Sequence, residues 1–456
     1  MTPTRSRPAG AGPTPKWIGL LLGLTVLAAV AAFLTKQWCR VHGWAAPDVH
    51  VHMCYSDFGQ LFGTRGLAEG YFPFYTPLPE EQWMEYPALL AVVAGVTAWL
   101  VPESGTLHER TVAYFDVNAL GVVLCWLVVV VATAYTARGR SRDALMVAVA
   151  PGIILTSMLN WDLWAVMLAA LALWAWSGGR SGLAGVLIGL GAAMKLYPLF
   201  FLGAILVLAL RTGRLAVFLK TLVAAVLTWL AVNVPFMLTA FDQWSRFYTF
   251  SGDRPVSFSS TWLALSWTGW SGETFSTLQN GVFALCCAGV AYLGLAARHR
   301  PRIAQLCLLI VASFILVGKV YSPQFVMWLI PLVVLARPAA PQFWIWQAIE
   351  VYHWAGVWME SARITSGDEF AGGAWWITAW YVSGIVLHVL ALLWIMVCVV
   401  RDVLDPSQDP VRRGGSDDPG DGVFASSPDR FLLPPAGHGP VRADATAVRS
   451  SSRVSG

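Results

Sequence analysis

Thirteen apolar runs strung along one chain leave few folds open. They lie near residues 17–35, 87–101, 112–135, 143–158, 163–177, 182–194, 196–210, 215–238, 276–297, 303–318, 322–336, 342–359 and 375–400. Many are close to the roughly 20 residues that a straight membrane-spanning helix needs; several are shorter, as helices ending at a water-filled cavity can be. A water-soluble fold has no interior large enough to hide them. The chain is 57% hydrophobic and 12% charged, about half the charge of an ordinary soluble domain. These values exclude a soluble globular enzyme, a disordered protein and a nucleic-acid binder. The fold class expected is an all-α polytopic membrane protein.

Orientation follows from arginine, which gathers on the cytoplasmic side of membrane proteins. Short basic connectors occur at Arg138/Arg140/Arg142, Arg180, Arg211/Arg214, Arg298/Arg300/Arg302 and Arg337. Placing all of them inside requires that 112–135 run inwards. Residues 1–16, with Arg5, Arg7 and Lys16, form a cytoplasmic N-terminus ahead of an uncleaved first span. The run 87–101, opening at Pro87, then does not cross and becomes a juxtamembrane or re-entrant helix in the first outer loop; a full crossing would instead put the Arg138–Arg142 cluster outside. The expectation is about twelve crossings within a domain of residues 17–400, with outer loops at 36–111, 239–275 and 359–374. Residues 401–456 are rich in Pro, Gly, Asp and Arg and read as a disordered cytoplasmic tail whose protein partner, if it has one, is unknown.

Chemistry is expected on the outer side, where acids and aromatics concentrate. Asp57 stands among aromatics about twenty residues after the first span. A carboxylate partly shielded from water there can serve as a general base. On local sequence alone, a surface aspartate in a loop or at a helix N-cap is the simpler reading. Only five lysines occur in the chain, and two are solitary residues at the predicted outer lip. They lie in Met194-Lys195-Leu196-Tyr197-Pro198 and Lys319-Val320-Tyr321-Ser322-Pro323-Gln324. Each either snorkels to the headgroups or faces a cavity and binds phosphate. Asn160-Trp161-Asp162 sits on a short outer turn, where turn and cap chemistry explains it equally well. The loop 239–275 combines Arg246 and Arg254 with Trp244, Trp262, Trp267 and Trp270, a set suited to sugar stacking or to an interfacial aromatic belt. Glu350 and His353 lie one turn apart inside an apolar run, as a functional pair or an internal hydrogen-bonded one. Of the seven cysteines, Cys39 and Cys54 can form a disulfide if both lie outside; free, partly buried thiols are the default. No cysteine pair has metal-ligand spacing, no carboxylate cluster suggests a metal, and no cofactor is expected.

Taken together, the early outer-loop Asp57, the Glu85-Tyr86-Pro87 helix start, the small-residue run Ala184-Gly185-Val-Leu-Ile-Gly189-Leu-Gly191-Ala-Ala-Met-Lys195-Leu-Tyr197-Pro198 and the Lys319–Gln324 motif resemble glycosyltransferase family 87, within the type C glycosyltransferases. The resemblance covers roughly residues 17–400. Many relatives carry Asn-Gly-Gln where this chain has Asn160-Trp161-Asp162. The best-known members are actinobacterial α-mannosyltransferases that use polyprenyl-phosphate-mannose. The resemblance implies a type C bundle in the plasma membrane with its active site on the outer face. Its donor would be a polyprenyl-phosphate sugar, its acceptor a glycolipid or cell-wall glycan, and membrane lipid would be a further partner. Asp57 would be the catalytic base. Lys195, Lys319 and Arg254 would hold the donor phosphate. Glu85, Tyr86, Tyr197, Tyr321, Gln324, Asp162 and His353 would contact substrate. A lipid or sugar-lipid transporter shares the composition and the interfacial lysines, but needs no base in the first outer loop and should show helices broken at mid-membrane. A structural subunit docking partners through its tail would make the tail essential.

Overall fold

The architecture, a computed structural model, describes residues 12–266, 272–367, 374–413 and 419–433. Arg5, Arg7, Trp267, Trp270 and residues 434–456 lie outside the described residues. Among the described residues the protein is helical, and the one β-type contact is a bridge between Ser257 and Val320. The principal helices are α1 (Pro15–Leu34), α2 (Asp57–Thr64), α3 (Ala88–Ala98), α4 (Leu107–Thr136), α5 (Asp162–Ser177), α6 (Ser181–Met194), α7 (Phe201–Thr212), α8 (Leu215–Thr239), α9 (Phe241–Asp253), α10 (Gly272–Ala296), α11 (Ile303–Val317), α12 (Val326–Ala336), α13 (Ala340–Ser366) and α14 (Trp375–Leu404).

Among the described residues, five helices are long and apolar enough to cross a membrane: α1, α4, α8, Leu278–Ala296 within α10, and α14. Between them stand apolar helices of 10–17 residues. The number of crossings expected from the sequence, about twelve, is larger than length and composition alone support. α3 rises only about 16 Å, roughly half of a bilayer core.

The shorter helices begin and end where proline and turn chemistry dictate. Pro87 precedes α3. α6 stops at Met194; Lys195 turns extended (φ −155°, ψ 146°), three residues ahead of Pro198. Pro323 opens the turn that leads into α12. The ends marked by Tyr86, Lys195 and Pro323 all reach one cavity, so interrupted helices are what bring polar side chains there.

The small residues of α6 have a packing reason. A Cβ at Gly185 would lie 2.3 Å from the Thr221 carbonyl oxygen, and one at Gly189 would lie 2.4 Å from that of Ala225. Glycines four residues apart therefore let α6 and α8 touch backbone to backbone. That contact fixes the end of α6, where Lys195 stands.

Two expectations are corrected. Cys39 and Cys54 form a disulfide, with Cα atoms 5.9 Å apart, where free thiols were the default. The described part of the segment expected to be disordered is docked. Asp409 pairs with Arg302 at 2.9 Å, both fully buried. Arg211 meets Asp429 at 2.7 Å, and Arg300 lies 3.3 Å from Asp429 and 3.6 Å from Asp421. Phe424 packs edge-on against Trp176. The reason is complementary charge: the segment's aspartates meet the arginines of the connectors, a match that composition alone does not reveal.

Candidate active site

A cavity of about 750 Å³ opens among residues 50–86, the Lys195 turn, the 247–258 segment, the Lys319–Phe325 segment and the start of α10. Its volume suits a substantial ligand. Part of its wall is apolar, with Phe247, Phe283, Phe314, Ile315 and Phe325.

Asp57 is the first residue of α2, capped by Ser56, whose hydroxyl accepts from the Phe58 amide. The Asp57 amide donates to the Leu159 carbonyl at 2.7 Å, tying the helix start to the turn before α5. Tyr55 donates its hydroxyl to Asp57 Oδ1 at 2.8 Å, and Tyr86 donates to Oδ2. Asn160 Nδ2 donates in turn to the Tyr86 hydroxyl at 3.3 Å. Burial raises the Asp57 carboxyl above the usual aspartate range; the two tyrosine hydrogen bonds and the nearby Lys195 pull the other way. The Tyr55 phenol is pushed up first by the Asp57 charge, and that of Tyr86 first by burial, so both stay protonated donors. Lys36, fully buried, donates to the Tyr55 carbonyl at 3.0 Å, and burial lowers its ammonium to about 7. The carboxylate is therefore oriented through both oxygens and still faces the cavity.

Four cations line the same cavity. Lys195 Nζ lies 3.0 Å from Asp162 Oδ1 and 4.9 Å from the centre of the Tyr86 ring. Lys319 Nζ donates to the Gly252 carbonyl at 2.6 Å. Arg254 lies over the rings of Phe250 and Phe258 and has no carboxylate partner among the described residues. Arg65 also lines the cavity, but it joins Glu85 at 3.4 Å. Glu85 in turn approaches Arg246 at 4.0 Å. Glu85 is thus held by cations, whereas Asp57 is held by neutral hydroxyls.

Asp57, Glu85, Tyr86, Lys195, Arg254, Lys319 and Gln324 all line the cavity. Asp162, Tyr197, Tyr321 and His353, expected to contact substrate, stand behind its wall, and packing explains each. Asp162 is fully buried, paired with Lys195 and accepting from Trp328 Nε1 at 3.0 Å. Tyr197 stacks on Trp328 with ring centres 4.6 Å apart. Tyr321 packs on His388 at 4.2 Å. His353 stacks on His388 at 3.8 Å. The two described indoles of the 239–275 loop serve structure: Trp244 donates to Asn233 and Trp262 to the Val317 carbonyl. The sequence reading passed over Tyr55, Lys36 and Arg65. Tyr55, two residues from Asp57, carried the clearest signal.

The family model of glycosyltransferase family 87 matches residues 79–318, more than half of the chain. The chain belongs to that family. The match contains Glu85, Tyr86, Lys195 and Arg254, opens after Asp57 and closes one residue before Lys319. No curated protein matches the chain. As a family 87 member with several apolar helices of spanning length, the protein is a membrane glycosyltransferase.

Tyr86 offers a check on the electrostatics of this glycosyltransferase site. Its hydrogen bond favours the ionised form of Asp57. In Tyr86→Phe the carboxyl should hold its proton to higher pH. If Asp57 acts as the base, the acid limb of the transfer profile should move upward in pH while the plateau persists at sufficiently alkaline pH. The measurement is kcat/KM against pH for both proteins; an unmoved limb would separate Asp57 from the titration that controls the rate.

Proposed function

We propose that this glycosyltransferase moves mannose from a polyprenyl-phosphate donor to a glycolipid or cell-wall glycan acceptor, inverting the anomeric centre, on the outer face of the plasma membrane. The observation carrying this reading is the single cavity in which Asp57, oriented by two tyrosines, shares a wall with Lys195, Lys319 and Arg254. The leaving group is a phosphate, and cations at its position stabilise the charge that develops. The acceptor is a hydroxyl, a very weak acid, and Asp57 takes its proton as the sugar–phosphate bond breaks. Direct displacement then turns a β-linked donor into an α-mannoside. The apolar stretch of the wall suits a polyprenyl chain.

Transfer from a panel of radiolabelled polyprenyl-phosphate sugars by the purified protein tests the reading. Mannose transfer supports it. Transfer of glucose or arabinofuranose alone would change the donor, and movement of sugar-lipid across vesicles without transfer would make the protein a transporter. Truncating Lys195 or Lys319 to Ala should remove a charge-assisted contact of about 1.5–3 kcal/mol, lowering transfer efficiency at least about tenfold. Normal donor saturation and turnover in both variants would reduce the lysines to structural roles.

The outer-face site carries a topology. Positions 69 and 106 are exposed, and both belong to the proposed outer loop. Glu69→Cys and Thr106→Cys, each the only accessible thiol in its protein, should both react with an impermeant reagent in intact cells. Labelling of position 106 only after permeabilisation would reverse the orientation.

A further inference from the structure

Away from the cavity, one cluster of buried ligating groups has no role in transfer. Glu350 and His353 lie three residues apart on α13 and share a face. His388 comes from α14. The two helices approach closely there because of glycine: a Cβ at Gly384 would lie 3.2 Å from the Cα of His353, and one at Gly356 would lie 3.3 Å from the Cα of Tyr381. The imidazoles stack as a result. Glu350 Oε2 is 3.7 Å from His353 Nδ1 and 3.7 Å from His388 Nδ1. All three side chains are at least 96% buried.

These distances are too long for hydrogen bonds. His353 Nδ1, His353 Nε2 and His388 Nδ1 have no hydrogen-bond partner among the described residues. Unpartnered buried polar atoms are rare and call for an explanation, and three on two stacked imidazoles beside a carboxylate form a set suited to a cation. Metal–ligand bonds of about 2.1 Å at tetrahedral angles set ligand atoms roughly 3.4 Å apart, near the spacing seen. One ligand atom from each residue falls within 4.8 Å of the others. An outer set of contacts is also in place. Trp346 Nε1 donates to Glu350 Oε1 at 2.9 Å, and His388 Nε2 lies 3.2 Å from the Ser259 carbonyl. Metal-binding histidines characteristically give their other ring nitrogen to such a carbonyl. The Tyr321 hydroxyl, also buried without a partner among the described residues, adds a polar group beside the cluster.

We propose that Glu350, His353 and His388 bind one divalent transition metal ion of the zinc class. Two imidazoles and a carboxylate suit such an ion, whereas Mg²⁺ and Ca²⁺ favour all-oxygen sites. The site lies behind the cavity wall, so its role is to fasten. It joins α13 to α14 and, through His388, to Ser259, five residues after Arg254. The Ser257 amide donates to the Lys319 carbonyl at 3.0 Å, linking the same segment to Lys319. The proposal stands independently of the sugar chosen above.

The test uses the full chain in detergent without a polyhistidine tag. Wild type purified from zinc-supplemented cells should hold about one zinc per chain, and a chelator should lower its unfolding temperature. X-ray absorption of the zinc-loaded protein should show two imidazole ligands and an oxygen ligand. Glu350→Gln and His388→Gln should lose the metal; Asp48→Asn should keep it. Zinc absent from folded wild type, and not taken up when Zn²⁺ is added, overturns the proposal. So does a bound zinc without two imidazoles, or one retained by folded Glu350→Gln and His388→Gln. If those variants do not fold, the stoichiometry and spectrum of wild type decide.

Discussion

Replacing Asp57 by Asn should lower sugar transfer by about 10²–10⁴-fold, the usual contribution of a general base, while folding and donor binding survive. The amide keeps the side chain's shape: its one oxygen can still accept from one of the two tyrosines that hold Asp57, and its NH2 can donate to the hydroxyl oxygen of the other. It cannot take the acceptor's proton. Asp48→Asn and Glu69→Gln are the controls, since a surface role would make all three acids equivalent. Glu85 is the competing base, but its ion pairs with Arg65 and Arg246 already engage its charge. If Asp57 is the base, its raised carboxyl should make transfer in wild type fall away at a higher pH than an ordinary aspartate would set, because protonation disables the base as pH drops through its shifted pKa. Transfer by Asp57→Asn within a few-fold of wild type, with Glu85→Gln inactive, would move the base to Glu85. Activity in both would discard the mechanism.

The second large effect is on stability. Asp409→Ala should destabilise the protein by about 3–5 kcal/mol, the penalty for leaving one member of a buried ion pair alone. Arg302 gives Nε and Nη2 to the two oxygens of Asp409, at 2.9 and 3.0 Å, and Nη1 to the Leu335 carbonyl at 2.9 Å. Without Asp409 its charge stays buried against carbonyls that only partly compensate it. The double variant Arg302→Met/Asp409→Leu removes both charges and should recover much of the loss, because apolar replacements of a buried pair are often neutral or better. Asp405→Ala, which removes only exposed contacts to Ser407 and Gln408, should leave the unfolding temperature nearly unchanged. Equal destabilisation by Asp405→Ala and Asp409→Ala would mean that the pair adds nothing special.

What the sequence disclosed and what it withheld divide along chain separation. Tyr86 and Lys195 stood out because each borders an apolar run, where a polar group needs a reason, and Asp57 because it stands among aromatics just beyond the first span. The helix breaks at Pro87 and Pro198 were visible for the same local cause. The partner of Lys195 was not: Asp162 looked like turn chemistry, and only the fold places its oxygen at the ammonium. The Glu350–His353 pair was legible as adjacent turns of one helix, while His388 joins it through a glycine contact between two helices. Asp409 sat in a segment whose composition resembles a disordered tail, since composition records no pairing across 107 residues.

That separation also orders the assembly of the chain. Arg302 is synthesised 107 residues before Asp409, and Arg211 precedes Asp429 by 218. Until those aspartates are made, the arginine-bearing end of the bundle must keep its guanidiniums in water or on lipid phosphates. A chain ending before residue 409 would carry the principal helices through Leu404 but lack the carboxylates that pair with Arg302 and Arg211, leaving that end of the bundle open.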